Sequence, residues 1–151
     1  NHYEISNFAK KGKESKHNLN CWEQKEYIGL GLAAYSYLNG VRYGNTSNIE
    51  EYINVQDFFN RSELEESGIR IVDEVQSLED KRKEYMLLGL RKIEGVSIQK
   101  FKEKFVENPI FLFRKELEKL VNEELIAIDG DCIRLTNKGL DLANIVWEEF
   151  V

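Results

Sequence analysis

The sequence predicts an α+β chain, on three observations. Residues 1–45 carry short runs of alternating apolar and polar character broken by glycines and basic residues, which suits strands and loops. From Asn48 onward apolar residues recur at helical spacing, and between Leu125 and Leu135 a two-residue alternation interrupts the helices. The texture changes near residue 46, dividing the chain into residues 1–45 and 46–151.

The opening Tyr3-Glu4-Ile5-Ser6-Asn7-Phe8-Ala9 reads as a short strand and, lacking an initiator Met, as the interior of a longer protein. A basic stretch from Lys10 to Lys16 follows. Asn48 is a helix N-cap for Ile49, Tyr52 and Ile53. Ser77-Leu78-Glu79-Asp80 has capping-box form, and Leu78, Tyr85, Met86, Leu88 and Leu90 give the next helix its apolar side, ended by Gly95. A second helix over Ile98–Phe105 buries Ile98, Phe101 and Phe105 and exposes Lys100, Lys102 and Lys104. Asn108-Pro109 starts a third, with Phe113, Leu117, Leu120 and Val121 inward. A hairpin turning at Gly130-Asp131 pairs Ile128 with Ile133 and Ile126 with Leu135. Thr136 caps a last helix facing inward through Leu142, Ile145, Val146 and Phe150. Leu117, Leu120, Ile126, Leu135 and Ile145 are expected to share one core. Three helices, a tight hairpin and a closing helix make the order of a winged-helix-like domain, which is a statement about fold and not function.

Composition bounds the function. The 151 residues are 42% hydrophobic and 32% charged, enough apolar content for one ordinary core. No apolar run approaches the roughly 20 residues that span a bilayer, and the first residues lack the apolar core of a signal peptide, so a cytoplasmic protein without a membrane span is expected. Cys21 and Cys132 form neither a disulfide framework nor a zinc knuckle. The net charge of −6 is uneven: residues 1–45 carry six Lys/Arg against four Asp/Glu, and residues 46–151 fifteen against twenty-three. An acidic second part repels a phosphate backbone, which argues against nucleic acid as partner.

Three places carry chemistry. Gly29 and Gly31 resemble the start of a phosphate-cradling loop, but Ala34 stands where the third glycine belongs; the pair also suits a tightly packed strand end. His17, Cys21 and Trp22 put an imidazole, a thiol and an indole within one turn or short loop; the first two are common haem-iron ligand types, and Trp22 can cover a porphyrin face. A hydrogen-bonded surface histidine is the competing reading of His17. His2 and His17 have no matched nucleophile and carboxylate, so a hydrolase is unsupported.

The run Tyr3 to Ala9, Glu14-Ser15-x-His17-Asn18-x-x-x-Trp22, Tyr27-x-Gly29-x-Gly31-x-x-Ala34-x-Ser36, Arg42-Tyr43-x-Asn45, Gly89-Leu90-Arg91 and Leu135-Thr136-x-x-Gly139 resembles the oxygen-independent coproporphyrinogen III oxidase-like radical S-adenosylmethionine family, nearest its haem chaperone branch. The resemblance implies a longer parent with an amino-terminal radical S-adenosylmethionine barrel, a CxxxCxxC motif holding a 4Fe-4S cluster, and oxidoreductase-like chemistry. Residues 1–45 would then be late barrel strands and loops, with edges left unpaired by the missing staves, and 46–151 the family's winged-helix-like carboxy-terminal domain. By the same resemblance Ala9, Gly29, Gly31 and Tyr35 belong to the S-adenosylmethionine site, His17 and Cys21 to a haem site, and the chain acts as lid to the cofactor site. It also implies a haem-accepting protein, unidentified by the sequence. Three residues depart from the pattern: Cys21 replaces Tyr, Lys11 replaces Pro, and Tyr35 stands where the chaperone branch often has His.

Two cysteines cannot supply three closely spaced thiolates, so the chain alone is expected to be catalytically inactive. Rival readings are a fragment of a true coproporphyrinogen III dehydrogenase, or a winged-helix module that binds protein or DNA. Against DNA, residues 109–124 carry three basic and four acidic residues where a groove-reading helix is basic.

Overall fold

The structure is a computed structural model that describes residues 1–54 and 69–151. In chain order its elements are β1 (His2–Glu4), β2 (Asn7–Phe8), α1 (Lys16–Trp22), β3 (Tyr35–Leu38), β4 (Val41–Asn45), α2 (Ile49–Ile53), β5 (Arg70–Val75), α3 (Leu78–Gly89), β6 (Val96–Ser97), α4 (Ile98–Phe105), α5 (Pro109–Leu112), α6 (Arg114–Asn122), β7 (Ile126–Asp129), β8 (Cys132–Leu135), α7 (Asn137–Asp141) and α8 (Ala143–Glu148). The mixed α+β class holds. The grouping of residues departs from a boundary near residue 46: Asn1–Gln24 belong with Arg82–Val151, and Lys25–Lys81 form a second unit.

In the first unit, one apolar core collects Tyr85, Met86, Leu90, Phe101, Phe105, Phe113, Leu117, Leu120, Ile126, Ile133, Leu135, Val146 and Phe150, with Ile145 packed against it. The shared core expected from the sequence is therefore present. Aromatic rings organise it. Phe101 meets Tyr85 edge-on at 5.7 Å and Phe113 at 6.2 Å, and Phe113 meets Phe150 at 5.4 Å. Caps set the helix starts: Ser77 and Asp80 exchange backbone-to-side-chain bonds of 2.9 and 3.1 Å, a reciprocal box, while Asn108 and Thr136 accept from Ile110 N and Gly139 N. The hairpin β7–β8 has the expected register, Ile128 opposite Ile133 and Ile126 opposite Leu135.

Two helices expected to be continuous are broken. Phe113, at φ −108° and ψ 36°, separates α5 from α6, and Leu142, at φ −119° and ψ 30°, separates α7 from α8. Phe113 is buried at the break, and within α6 Leu117 and Leu120 form the buried stripe while Val121, expected inward, is 41% exposed. Leu142 is itself the break and faces partly outward, as does Leu78 at the start of α3. The two-residue strand β6 is too short for periodicity to reveal; β8 recruits it by pairing Val96 with Ile133 and Ser97 with Cys132.

Residues 1–24 are tied into the first unit through β1 and Ile5. β1 pairs with β2, Glu4 bridges Lys92, Ile5 N donates to Arg91 O at 2.9 Å and Ile93 N to Tyr3 O at 3.2 Å. Backbone polar groups left without a sheet partner are costly when buried, and the stretch after α3 satisfies them. α1 replaces an expected loop. Ser15 caps it through Asn18 N, and it has no buried residue, so no apolar stripe announces it.

Asp131, after the left-handed Gly130, accepts from Ser97 Oγ at 2.6 Å and Gln99 N at 2.8 Å, and the Ser97 hydroxyl first, then the Gln99 amide, holds its carboxyl below the ordinary aspartate range. A depressed folded value means that this contribution is present above the unfolded pKa of about 3.9 and disappears as pH falls through the folded value. Asp131→Asn is therefore expected to lose less stability than wild type between neutral pH and about pH 2, measured by urea midpoints across that window. An equal acid loss in both proteins would show that the pair contributes nothing.

In the second unit, β3, β4 and β5 form an antiparallel sheet in that order. Asn39 and Gly40, at φ 53° and 76°, make the β3–β4 turn, the residue pair that a tight turn with two left-handed positions favours. Tyr37 and Tyr43 are its buried aromatic side chains, and Tyr37 Oη donates to Gln76 Oε1 at 2.9 Å.

Candidate functional site

Of the residues with chemical promise, His17 and Cys21 are the pair that the fold brings together. They stand one turn apart on α1, with Cys21 Sγ 3.7 Å from His17 Nε2; His17 is exposed and Cys21 half-buried. The spacing of four residues puts both on one helix face. Trp22, the next residue, turns to another face. Arg91 covers its indole at 4.4 Å, so one face that could serve a porphyrin is occupied by protein. His2 is engaged elsewhere, stacked on Phe8 at 4.2 Å.

Close by, Leu19 of α1 and Glu23 just after it line a cleft of about 450 Å³ with Asn1, His2, Tyr3, Glu14, Ile93 and Glu94. Lys92 is the buried cation of this region, 3.1 Å from Glu94 and 3.9 Å from Glu23. Glu4 is wholly buried, with Asn7 Nδ2 donating to one carboxylate oxygen and the other without a partner. Sequence reasoning missed both; their only signal was polarity inside a strand and just past a helix end.

The four residues assigned to S-adenosylmethionine divide between the units. Ala9 is in the first, where its N–H already donates to Asn1 O at 2.9 Å. Gly29, Gly31 and Tyr35 are in the second. Gly29 passes so close to β3 that a Cβ there would lie 2.0 Å from Tyr35 O, a packing reason for its lack of side chain. Gly31, at φ 110°, accepts from Asn45 Nδ2 at 2.8 Å, and Ala33 N donates to Thr46 O at 2.9 Å, which latches the loop to the end of β4. Tyr35, half exposed, lines a cleft of about 300 Å³ with Ala33, Gly44, Asn45, Thr46, Ser47, Ile71 and Asp73.

Among the described residues no group of three His, Cys, Asp or Glu is placed to hold a metal ion. The whole sequence has two cysteines, and Cys132, its thiol pushed up by burial, faces Glu94 O in β8. These residues do not fit an iron–sulfur cluster. No helix among the described residues is long and apolar enough to cross a membrane.

Residues 76–142 match the family model described as the HemN C-terminal domain. The chain carries a HemN C-terminal domain. Over all 151 residues it is 39% identical to the heme chaperone HemW of Lactococcus lactis, and over 150 residues, 99% of its length, it is 37% identical to the heme chaperone HemW of Bacillus subtilis; it spans 38% of each. A solved structure described as coproporphyrinogen III oxidase (HemN) from Escherichia coli, a radical SAM enzyme, superposes with a TM-score of 0.66 at 14% identity, covering 99% of this chain and 37% of that one. That likeness concerns the fold. In this chain the HemN C-terminal domain contains α3, the β6–β8–β7 sheet and the helices between them, and begins at Gln76, beside the Ser77 capping box.

Proposed function

We propose that the chain belongs to a longer haem-handling protein and that α1 presents its haem ligand. The observation that carries this reading is the His17–Cys21 pair on one face of α1, with the imidazole exposed. The relatives named as haem chaperones support it. Side chains one turn apart on one helix approach from the same side, so one of His17 and Cys21, and not both, would hold the haem iron. His17 is the better of the two, since imidazole ligates iron as a neutral group whereas a cysteine must ligate as its thiolate. Bound haem supplies iron coordination there; His17 holds it and Cys21 orients the imidazole.

On this reading the radical S-adenosylmethionine barrel and its 4Fe-4S cluster belong to the rest of the parent protein, which is cytoplasmic. Residues 1–45 contribute late strands and loops to that barrel, with Gly29, Gly31 and Tyr35 of the second unit turned to S-adenosylmethionine. The order α3, β6, α4, α5–α6, β7, β8 suits a winged-helix-like domain, with β7–β8 as the wing. That domain acts as lid and as contact surface for the barrel.

The test is haemin titration of wild type, His17→Ala and Cys21→Ala, followed in the Soret band. His17→Ala is expected to lose most specific binding and the histidine-ligated spectrum. Cys21→Ala is expected to change affinity by a few fold, through loss of the contact that orients the ring. Equal binding by all three proteins would make α1 a structural corner.

A further inference from the structure

Arg91 follows α3, and its backbone is pinned on both sides: Arg91 N donates to Leu88 O at 3.1 Å and Arg91 O accepts from Ile5 N at 2.9 Å. Its guanidinium lies 4.4 Å from the centre of the Trp22 indole and 4.7 Å from that of Trp147. These are the two tryptophans of the sequence, so both indoles are committed to one cation. A guanidinium held between two aromatic faces keeps its charge, because arginine is not deprotonated in proteins, and it can bind only through its planar edge.

The stack contains donors and no acceptor. Guanidinium and indole N–H groups only donate, and Arg91 Nε, Trp22 Nε1 and Trp147 Nε1 are all buried without a partner. Arg42, Arg82 and Arg114 have Glu74, Glu107 and Glu118 beside them, whereas no carboxylate of the described residues pairs with Arg91. Buried donors without acceptors in a native fold call for an unseen partner, and the planar fork of a half-buried arginine matches a carboxylate. Trp22 adjoins Cys21 on α1, so the fork sits beside the helix assigned to haem.

We infer that Arg91, clamped between Trp22 and Trp147, binds a ligand carboxylate, and that the ligand is a porphyrin held through one of its propionates. The identity of the ligand rests on the haem reading of α1; the carboxylate site rests on the stack. Arg91 fixes the edge of the macrocycle, and His17 contacts the iron.

Metal-free protoporphyrin IX separates the two, since it has carboxylates and no iron. Titrating it and its dimethyl ester into the full chain, with tryptophan emission as readout, reports on the stack directly, because all of that emission comes from Trp22 and Trp147. The diacid is expected to bind about tenfold or more tighter than the diester, as a charge-assisted pair implies. Arg91→Gln is expected to abolish that preference, and Arg91→Lys, which keeps charge and loses the planar fork, to retain only part of it. Equal binding of the diacid and diester by wild type, a comparison independent of whether any variant folds, would overturn the inference, as would a preference that survives Arg91→Gln. If His17→Ala leaves haemin binding unchanged while the Arg91-dependent preference persists, iron ligation by α1 fails and the carboxylate site stands. Loss of the haem spectrum in His17→Ala with no diacid preference overturns the carboxylate site and leaves iron ligation standing, and failure of both haemin and the protoporphyrin diacid to bind removes both.

Discussion

Gly95→Ala is expected to unfold most of the first unit at temperatures where the wild type is folded. Gly95 has φ 79°, a left-handed conformation that costs an L-residue about 1 to 2 kcal/mol. Space is the larger obstacle. A Cβ there would lie 2.1 Å from Ile133 O and 2.8 Å from Arg134 Cα, both backbone atoms of the strand that pairs with β6. Backbone cannot swing aside as a flexible side chain can, so β6 must part from β8 or the turn after α3 must open. Gly130→Ala is the control, since Gly130 also has positive φ, at 56°, but nothing lies within 4 Å of its Cβ position. Its substitution isolates the conformational cost. The urea midpoints of the two variants should differ by several times the shift that Gly130→Ala itself produces, and similar midpoints would show that the close approach is not a constraint.

Phe101→Ala is expected to destabilise the same unit by about 3 to 5 kcal/mol, the range for removing a fully buried aromatic from a packed core. Phe101 has no exposed surface and touches Tyr85, Phe105 and Phe113, the last of which meets Phe150 of the closing segment. The cavity would lie between α3, α4 and the α5–α6 break. Against a typical domain stability of about 5 to 15 kcal/mol, the loss should appear as a large drop in denaturant midpoint with little change in slope. A cost below about 1 kcal/mol would mean that the aromatic cluster collapses to fill the space.

Elements with a local signature were legible without the fold. The Ser77 box, the Asn108-Pro109 start and the Thr136 cap each satisfy helix-end donors with their own side chains, so the chemistry lies within a few residues. The β7–β8 register followed from which apolar residues must face each other across a two-residue turn. The Asn39-Gly40 turn was equally local and was passed over, although it sits between two strands and favours the left-handed pair that the hairpin needs.

Fold class, the order of helices and hairpin from Ser77 onward, most of the core residues and the residue types of the α1 site were determined by the sequence itself, because helical periodicity, capping and side-chain chemistry act over one or two turns. Only the tertiary structure decided that residues 1–24 pack with residues 82–151, that Phe113 and Leu142 break their helices, that Gly29 is required by Tyr35 O, and that Arg91 joins Trp22 to Trp147. Each of these depends on groups 6 to 125 positions apart, where nothing in local propensity specifies a partner and the packing of one core chooses it.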